Sequence, residues 1–203
     1  MVDLLSRRRL ILGLGSALAA RGLPVRAQSG QLHRIAFLSG ATRADSASLF
    51  ESFLEGLREL GYREGRNVLV DARWANYSAE QAAKLVGEIA ALRPDGALLF
   101  SDALMYGQRK ALAAFFLKHR IPSAAGWSVF PESGHLVSYG PERHAALRRL
   151  AYYVDRIIKG ARPADLPIEL PTVIEMVVNR RTAAAMSLAV SPAILARADR
   201  VID

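Results

Sequence analysis

Asp102 is the foremost of the few residues whose type and position could do chemistry. It follows a short apolar stretch expected to be a buried strand, and it precedes a helical pattern. A carboxylate in that place can cap the following helix, hydrogen-bond the amine or hydroxyl of a ligand, or accept a phosphoryl group. A phosphoacceptor also needs an acidic pair after the first strand to hold Mg²⁺, and Ser39-Gly40-Ala41 supplies none. The helix cap and the ligand contact therefore stand as the two main interpretations.

Known catalytic and metal-binding motifs are missing from the sequence. It contains no HExxH, GxSxG or GxxxxGK[ST] pattern, and no dinucleotide fingerprint follows a predicted strand. Its four histidines are scattered without the spacing of a metal site. There is no cysteine, which excludes a thiol nucleophile and a disulfide. The sequence thus predicts no catalytic residue, no metal and no cofactor, and it favours a protein that is not an enzyme.

Two aromatic residues, Trp127 and Tyr139, end predicted strands beside glycines. Aromatic rings in such places can hold a flat or apolar ligand between them. They can equally fill the core at the edge of a lobe, and the sequence leaves both interpretations open. The same alternatives hold, with a weaker case for ligand binding, for Trp74 and Tyr77.

The elements that must position these residues alternate between strands and helices. Strands are predicted over 33–39, 67–74, 97–100, 121–127, 136–139 and 172–178. Helices are predicted from Ser48 with Glu51 as a capping box, from Ser78 with Gln81, after Asp102, over 142–159, and after Ser191-Pro192. The helix over 142–159 is expected to turn an apolar face inward, composed of Leu147, Leu150, Ala151, Val154, Ile157 and Ile158.

Alternating strands and helices predict an α/β fold with a mainly parallel, Rossmann-like sheet flanked by helices. Ligands of such sheets bind at the carboxyl ends of the strands. Small or polar residues follow several of the predicted strands, namely at Ser39-Gly40, Trp74 to Asn76, Ser101-Asp102, Gly126 to Ser128 and Ser138 to Gly140. A binding site is therefore expected at this edge.

Residues 1–27 have the pattern of an export signal. Arginines at 7–9 precede an uncharged apolar run that is too short to span a bilayer, and Val25-Arg26-Ala27 fits a cleavage site. The pattern predicts a twin-arginine-like signal cut after Ala27 and a periplasmic protein; the alternative is an anchor that is never cut. The signal holds five arginines and one aspartate, so the other 176 residues carry 22 basic and 18 acidic side chains, a net charge of +4. A surface this mildly basic is not typical of nucleic-acid binding.

Longer stretches resemble one family of proteins. They are Phe53-x-x-Gly56-Leu57-x-x-Leu60-Gly61-Tyr62, Val137-Ser138-Tyr139-Gly140, Tyr153 to Gly160, Pro163 to Pro167, and Leu195 to Asp199. Together they resemble the substrate-binding proteins of ABC importers, in particular the bacterial family with tryptophan- and tyrosine-binding members. The resemblance implies a type I periplasmic binding protein fold, in which two Rossmann-like lobes close over a small ligand and then dock on a membrane permease.

The chain also departs from that family. Residues 28–94 resemble its beginning, as a first-lobe remnant, and residues 95–203 resemble its final third, as a second-lobe remnant with the helix that returns to the first lobe. The middle is missing, with the join near Arg93 to Gly96. A shortened chain of this kind is expected to form one compact sheet or two incomplete lobes, and exposed sheet edges would allow self-association.

The resemblance implies ligand-binding residues as well, namely Ser39, Gly40, Asp102, Trp127, Ser138 and Tyr139. Ser39 and Asp102 would hydrogen-bond the ligand, and Trp127 and Tyr139 would pack against it. The expected function is an exported component of an ABC importer that binds a small organic solute, an amino acid being one candidate, without changing it. The alternatives are a vestigial or interaction protein that no longer binds solute and, less favoured, a small α/β enzyme or phosphoacceptor.

Overall fold

The computed structural model describes residues 32–203, and the predicted export signal lies outside this range. The strands are β1 (His33–Ser39), β2 (Val68–Trp74), β3 (Gly96–Leu99), β4 (Ser123–Ala125), β5 (Val137–Pro141), β6 (Ile174–Asn179) and β7 (Arg200–Ile202). The helices are α1 (Arg43–Glu59), α2 (Ala79–Ala91), α3 (Ala103–Lys118), α4 (Val129–Glu132), α5 (Arg143–Ile158), α6 (Arg180–Ala185) and α7 (Pro192–Arg197).

These strands form one seven-stranded sheet in the order β2-β1-β3-β4-β5-β6-β7. Every neighbouring pair is parallel except β5 and β6, which are antiparallel. The predicted α/β class with a mainly parallel sheet is confirmed. Of the two predicted arrangements, the described residues form one compact sheet. β1 and β2 come from residues 28–94 and the other strands from residues 95–203, and the origin of these two ranges in different lobes stays a prediction.

Alternation along β1 explains why helices cover both faces of this sheet. Ala36 and Leu38 are fully buried in a core that α2 and α3 complete. Phe37, between them in the chain, points to the other face, because successive strand residues face opposite ways. Its ring lies 4.8 Å from that of Phe50 in α1. A strand that is apolar on both faces needs a helix layer on each side.

Helix starts follow the available capping side chains. The Oγ of Ser78 accepts a hydrogen bond from the Gln81 amide, and Ser191 caps a helix with proline at its first position, as predicted. The predicted start of α1 at Ser48 is wrong, because the helix begins at Arg43. Thr42 lies further upstream and its Oγ1 accepts a hydrogen bond from the Asp45 amide. The acidic Asp45 in the first turn also favours this earlier start.

The long helix α5 has the predicted bounds, but its predicted inward face is wrong. Glu142 caps it by accepting hydrogen bonds from the His144 and Ala145 amides. No residue of α5 is buried. β5 and β6 pair directly with each other. The side chains of Leu147, Leu150, Val154, Ile157 and Ile158 on the helix between them are 45–79% exposed. Periodicity identified the shared face correctly but could not identify what the face packs on.

The sheet ends in two edge strands that are poorly suited to pairing with another chain. At the β2 edge, the Glu64 carboxylate accepts a hydrogen bond from the Val70 amide, and Asp71 and Arg73 place charges on the strand. The other edge, β7, has only three residues. Short or charged edges resist strand addition, and self-association through them stays a prediction. Within residues 32–203, no helix is both long and apolar enough to cross a membrane.

Candidate functional site

Asp102 joins the carboxyl ends of β1 and β3. Its Oδ1 accepts a hydrogen bond from the Met105 amide at 2.9 Å, which caps α3. Its Oδ2 accepts one from the Gly40 amide at 2.7 Å and lies 3.5 Å from the Ser39 hydroxyl. The structure therefore shows the helix-cap arrangement for this aspartate. All these partners are internal, and a contact between Asp102 and a ligand stays a prediction.

Residue 40 must be a glycine, because Asp102 approaches its backbone closely. A Cβ on this residue would overlap Asp102 Oδ1 and would lie 2.7 Å from the Cβ of Leu104. Both neighbours are held in place, the first by its hydrogen bonds and the second by the helix. The absence of a side chain here thus lets the loop after β1 lie directly on the start of α3.

A second row of small residues continues along the same edge. The Gly126 amide donates a hydrogen bond to the Ser101 hydroxyl at 2.8 Å, which ties the end of β4 to the end of β3. A Cβ on Gly140 would overlap the carbonyl oxygen of Gly126, so β5 also approaches this point closely. Backbone and small side chains therefore form the floor of the predicted site.

Trp127 stands beside this floor in a group that we name the arginine–aromatic cluster, consisting of Tyr106, Arg109, Trp127 and Arg143. The rings of Tyr106 and Trp127 meet edge to face with centroids 6.2 Å apart. The Arg143 guanidinium lies 5.0 Å from the Tyr106 ring centre and 5.4 Å from that of Trp127. Arg109 lies 4.3 Å from the Tyr106 ring centre. These distances are within the range of cation–π attraction.

The two arginines of the cluster have no carboxylate partner among residues 32–203. Two of the four arginines of α5 do have one, Arg148 with Glu142 and Arg149 with Glu169. The cluster therefore combines an apolar surface with positive charge that no side chain of the described residues neutralises. An anionic group next to an aromatic or apolar one suits such a surface chemically.

Ser138 and Tyr139 lie on opposite faces of β5, so the structure does not bring them together. Ser138 is buried in register with Ala125 and Val177, and its hydroxyl has no hydrogen-bond partner in the part of the chain described. Tyr139 is 69% exposed. Trp127 packs against the core on the α3 side, and a clamp formed with Tyr139 around a ligand stays a prediction. Their individual roles toward a ligand stay predictions.

A hydrogen-bonded group at the β1 and β2 ends was not predicted. Asp45 Oδ2 accepts hydrogen bonds from the Thr42 hydroxyl at 2.6 Å and the Tyr77 hydroxyl at 2.7 Å. The Thr42 bond and then the Tyr77 bond lower the pKa of Asp45, and the bond to Asp45 raises the pKa of Tyr77. Asn76 and Tyr77 both have left-handed backbones, with φ of 50° and 61°. Asn76 could have indicated this turn in the sequence, because asparagine tolerates the left-handed conformation better than most residues.

Tyr106, Arg109 and Arg143 were missed as well. Tyr106 lies four residues after Asp102, so the first turn of α3 carries it at the strand ends. Arg143 is the first residue of α5 and follows β5 almost directly. The sequence shows that these residues follow predicted strand ends. Their contact with Trp127 could not be predicted, because it depends on the order β3-β4-β5 in the sheet.

A groove of about 680 Å³ lies elsewhere. It runs between α5 and the returning segment 169–173, and Leu150, Tyr153 and Leu170 are among its lining residues. None of the residues predicted for the ligand site lines it. Within the described part of the chain, no group of three or more histidine, aspartate or glutamate side chains is placed to hold a metal ion.

Comparisons with known proteins find similarity in structure alone. No protein-family model matches the sequence, and no curated protein matches it. A conserved domain protein from Vibrio cholerae O1 biovar El Tor is similar with a TM-score of 0.73 at 18% identity, over 84% of this chain and 55% of that one. An "ABC domain" from Streptococcus pneumoniae, solved in complex with L-Trp, also gives 0.73 at 18% identity, over 84% and 57%.

A third similar structure is the ligand-free, open form of a substrate-binding protein with adhesive properties from Clostridium difficile. It has a TM-score of 0.57 at 14% identity and covers 84% of this chain and 54% of that one. The chain thus spans a little over half the length of the solved structures it matches. Likeness at this level of identity shows a shared fold, namely the α/β fold of periplasmic-binding-protein-like structures.

Proposed function

We propose that this protein is an exported solute-binding protein that serves an ABC importer and does no chemistry on its solute. The shared fold supports a binding role, since one similar structure is described as a complex with L-Trp and another as a substrate-binding protein. Export to the periplasm rests on the signal pattern of residues 1–27. Docking on a membrane permease rests on the family resemblance.

The observation that carries this proposal is the arginine–aromatic cluster at the carboxyl edge of the sheet. Arg109 and Arg143 offer unneutralised positive charge beside the rings of Tyr106 and Trp127. A carboxylate would pair with the guanidinium groups, and an apolar side chain would cover the rings. The solute that combines both features is an amino acid with an apolar or aromatic side chain.

The site is open, and this sets an expectation for its affinity. Typical ligand sites bury most of the ligand surface, whereas the single sheet of residues 32–203 provides one wall. A solute held on one wall keeps much of its surface in water. We therefore expect weaker binding than in a two-lobed protein that closes over its ligand.

A thermal-shift screen of the purified protein against the common amino acids tests the proposal. A solute at about 100 times its dissociation constant stabilises a competent site by roughly 2.7 kcal/mol and raises the melting temperature. L-Tryptophan, L-tyrosine and L-leucine are expected to do so more than glycine, because glycine has no side chain to cover the rings. A cooperative transition that no compound moves would contradict solute binding.

Paired variants then locate the solute. Arg143→Gln is expected to abolish the shift, because it removes the charge above Trp127 and Tyr106. Arg156→Gln is the matched control: it removes the same charge from the same helix, thirteen residues away, or about 20 Å along the axis. Equal losses in the two variants would place the site elsewhere.

The alternative function is that of an interaction protein that keeps the scaffold without binding solute. The exposed apolar face of α5 favours it, because unpartnered apolar surface of this kind marks interaction sites. An unmoved melting transition together with a specific protein partner on α5 would support this alternative. A phosphoacceptor has less support, because the hydrogen bonds that Asp102 accepts come from the Ser39 hydroxyl and the Gly40 and Met105 amides, and none of these residues is acidic. The Ser39 hydroxyl is a nucleophilic group within reach of Asp102, at the limiting distance of 3.5 Å.

A further inference from the structure

Glu175, in β6, is a partly buried carboxylate without an ion pair. The described acidic residues of intermediate exposure are Asp71, Asp102, Glu142 and Glu175. The first lies 3.6 Å from an arginine, and the next two accept hydrogen bonds from backbone amides. Glu175 pairs with no basic side chain within residues 32–203. Partial burial of an unpaired carboxylate costs free energy, which a partner of opposite charge would offset.

The register of the sheet places Glu175 on the face that carries the arginine–aromatic cluster. Glu175 pairs with Gly140 of β5. Two residues further along β6, Val177 pairs with Ser138. Ser138 pairs in turn with Ala125 of β4, whose side chain belongs to the core that α3 completes. Directly paired residues, and residues two apart in a strand, share a face of the sheet. Glu175 therefore lies on the α3 side, where the tryptophan of the cluster also packs.

The cluster lies at the same place on β5. A Cβ on Gly140 would overlap the carbonyl oxygen of Gly126, so the segment that leads into Trp127 lies against β5 at the residue paired with Glu175. Neighbouring strands are about 4.8 Å apart, so the Glu175 backbone is about one strand away from this contact. The Arg143 guanidinium lies 5.4 Å from the Trp127 ring centre. Glu175 and the cluster thus lie side by side at the carboxyl end of β5.

Other charged groups near this place are already engaged within the fold. Arg200, on the same face, pairs with Glu132 of α4. The carboxylate of Asp102 caps α3, and that of Glu142 caps α5. Glu175 has no role of this kind, so its carboxylate is available to a ligand.

Opposite charges that do not neutralise each other are what a zwitterion needs from its site. Glu175 forms no ion pair with Arg109 or Arg143 of the cluster. An amino acid carries a carboxylate and an ammonium group on one carbon atom. The carboxylate would pair with the guanidinium groups, and the ammonium group would donate charge-assisted hydrogen bonds to Glu175.

We propose that Glu175 binds the α-ammonium group of an amino-acid solute whose carboxylate pairs with Arg109 and Arg143. This inference rests on the proposed function and adds to it the residue that distinguishes an amino acid from a simple carboxylic acid. The distinction arises because a carboxylic acid without an ammonium group leaves the Glu175 carboxylate unpaired beside the bound ligand.

Two matched solutes test the inference by isothermal titration calorimetry on the purified protein. Indole-3-propionate is L-tryptophan with a hydrogen atom in place of the α-ammonium group, so it keeps the ring and the carboxylate. L-Tryptophan is expected to bind the wild type about 10-fold or more tightly than indole-3-propionate, because it alone can donate to Glu175. Equal affinity, or tighter binding of indole-3-propionate, would overturn the inference and leave solute binding itself supported.

Glu175→Gln then tests whether this residue causes the preference. The variant should lose most of the preference for L-tryptophan, because a neutral amide replaces the charged acceptor, and its retained binding of indole-3-propionate shows that it is folded. Glu55→Gln is the matched control: it removes the same charge from an exposed position of α1 and should keep the wild-type preference.

The outcomes separate this inference from the proposed function. A preference that survives in Glu175→Gln, or an equal loss of affinity for both compounds in that variant, would overturn the role of Glu175 alone. A wild type that binds neither compound would contradict the proposed function, and this inference with it.

Discussion

His135 is the ionisable side chain whose burial has the clearest consequence. Its ring is fully buried, with Nε2 2.9 Å from the Arg109 carbonyl and Nδ1 2.8 Å from the Ser123 hydroxyl. A carbonyl only accepts hydrogen bonds, so Nε2 carries the proton and Nδ1 accepts from Ser123. Burial lowers the pKa of His135 to about 4, because it disfavours the charged ring.

This shift predicts that the protein loses stability in mild acid. The unfolded histidine has a pKa of about 6.5 and takes up a proton first, so the unfolded state binds more protons between about pH 6.5 and pH 4. The stabilising contribution is complete above pH 6.5 and decreases as the pH falls toward 4, by about 3 kcal/mol in all. Urea unfolding at a series of pH values measures this slope.

Two variants isolate the histidine in that measurement. His135→Gln should flatten the slope between pH 6.5 and pH 4, whatever it does to stability at neutral pH. His119→Gln replaces an exposed histidine at the end of α3 and should leave the slope unchanged. A slope that survives in His135→Gln would show that other groups cause the acid sensitivity.

Single residues were predictable from the sequence where their role is local. A helix cap was one of the two main interpretations of Asp102, because capping depends on the residues that follow it, and the structure shows that cap. The partners of Trp127 were not predictable, because Tyr106 and Arg143 reach it from two other elements. The buried state of His135 was likewise unreadable, since it depends on helices α3 and α4 closing over the ring.

At the scale of elements, the junction between β1 and α3 is set by one glycine. Gly40→Ala would place a Cβ against Asp102 and the Cβ of Leu104, so either the loop or the helix cap must move. Overpacking of this kind costs about 1–3 kcal/mol. We expect a loss of that size in the free energy of unfolding, measured by urea denaturation.

Gly56→Ala is the matched control for this junction. Gly56 lies inside α1, and a Cβ there would meet nothing within 4 Å. Alanine is the better helix former by about 1 kcal/mol, so this variant should be more stable than the wild type. The same change at two glycines is thus expected to have opposite signs, and a neutral Gly40→Ala would mean that the junction is looser than the structure indicates.

Elements were predicted well where they repeat a pattern over many residues. The bounds of α5 followed from its periodicity and from Glu142, but periodicity cannot state whether an apolar face meets a sheet of its own chain. The short elements α4, α6 and β7 have three to six residues, too few for a pattern to develop. The start of α1 was misplaced because two capping side chains, Thr42 and Ser48, compete within one segment.

At the scale of the whole molecule, the position of β3 couples the unfolding of the two parts of the chain. It lies between β1, from the first part of the chain, and β4, from the second. Ala36 and Leu38 of β1 share one core with Leu99 of β3 and Phe116 of α3. Neither part can keep that core without the other, because each would expose a long apolar strand edge and half of a buried face.

The chain is therefore expected to unfold in a single cooperative transition, and its two tryptophans allow a direct test. Trp74 ends β2 in the first part, and Trp127 follows β4 in the second. In Trp127→Phe the fluorescence reports the first part alone, and in Trp74→Phe it reports the second. Within each variant, the fluorescence midpoint in urea should coincide with the midpoint of the far-ultraviolet circular dichroism, because both probes follow one two-state transition. A Trp74 transition that separates from the circular dichroism would mean that residues 32–94 unfold as an independent lobe, and the shared core would then contribute far less than its burial implies.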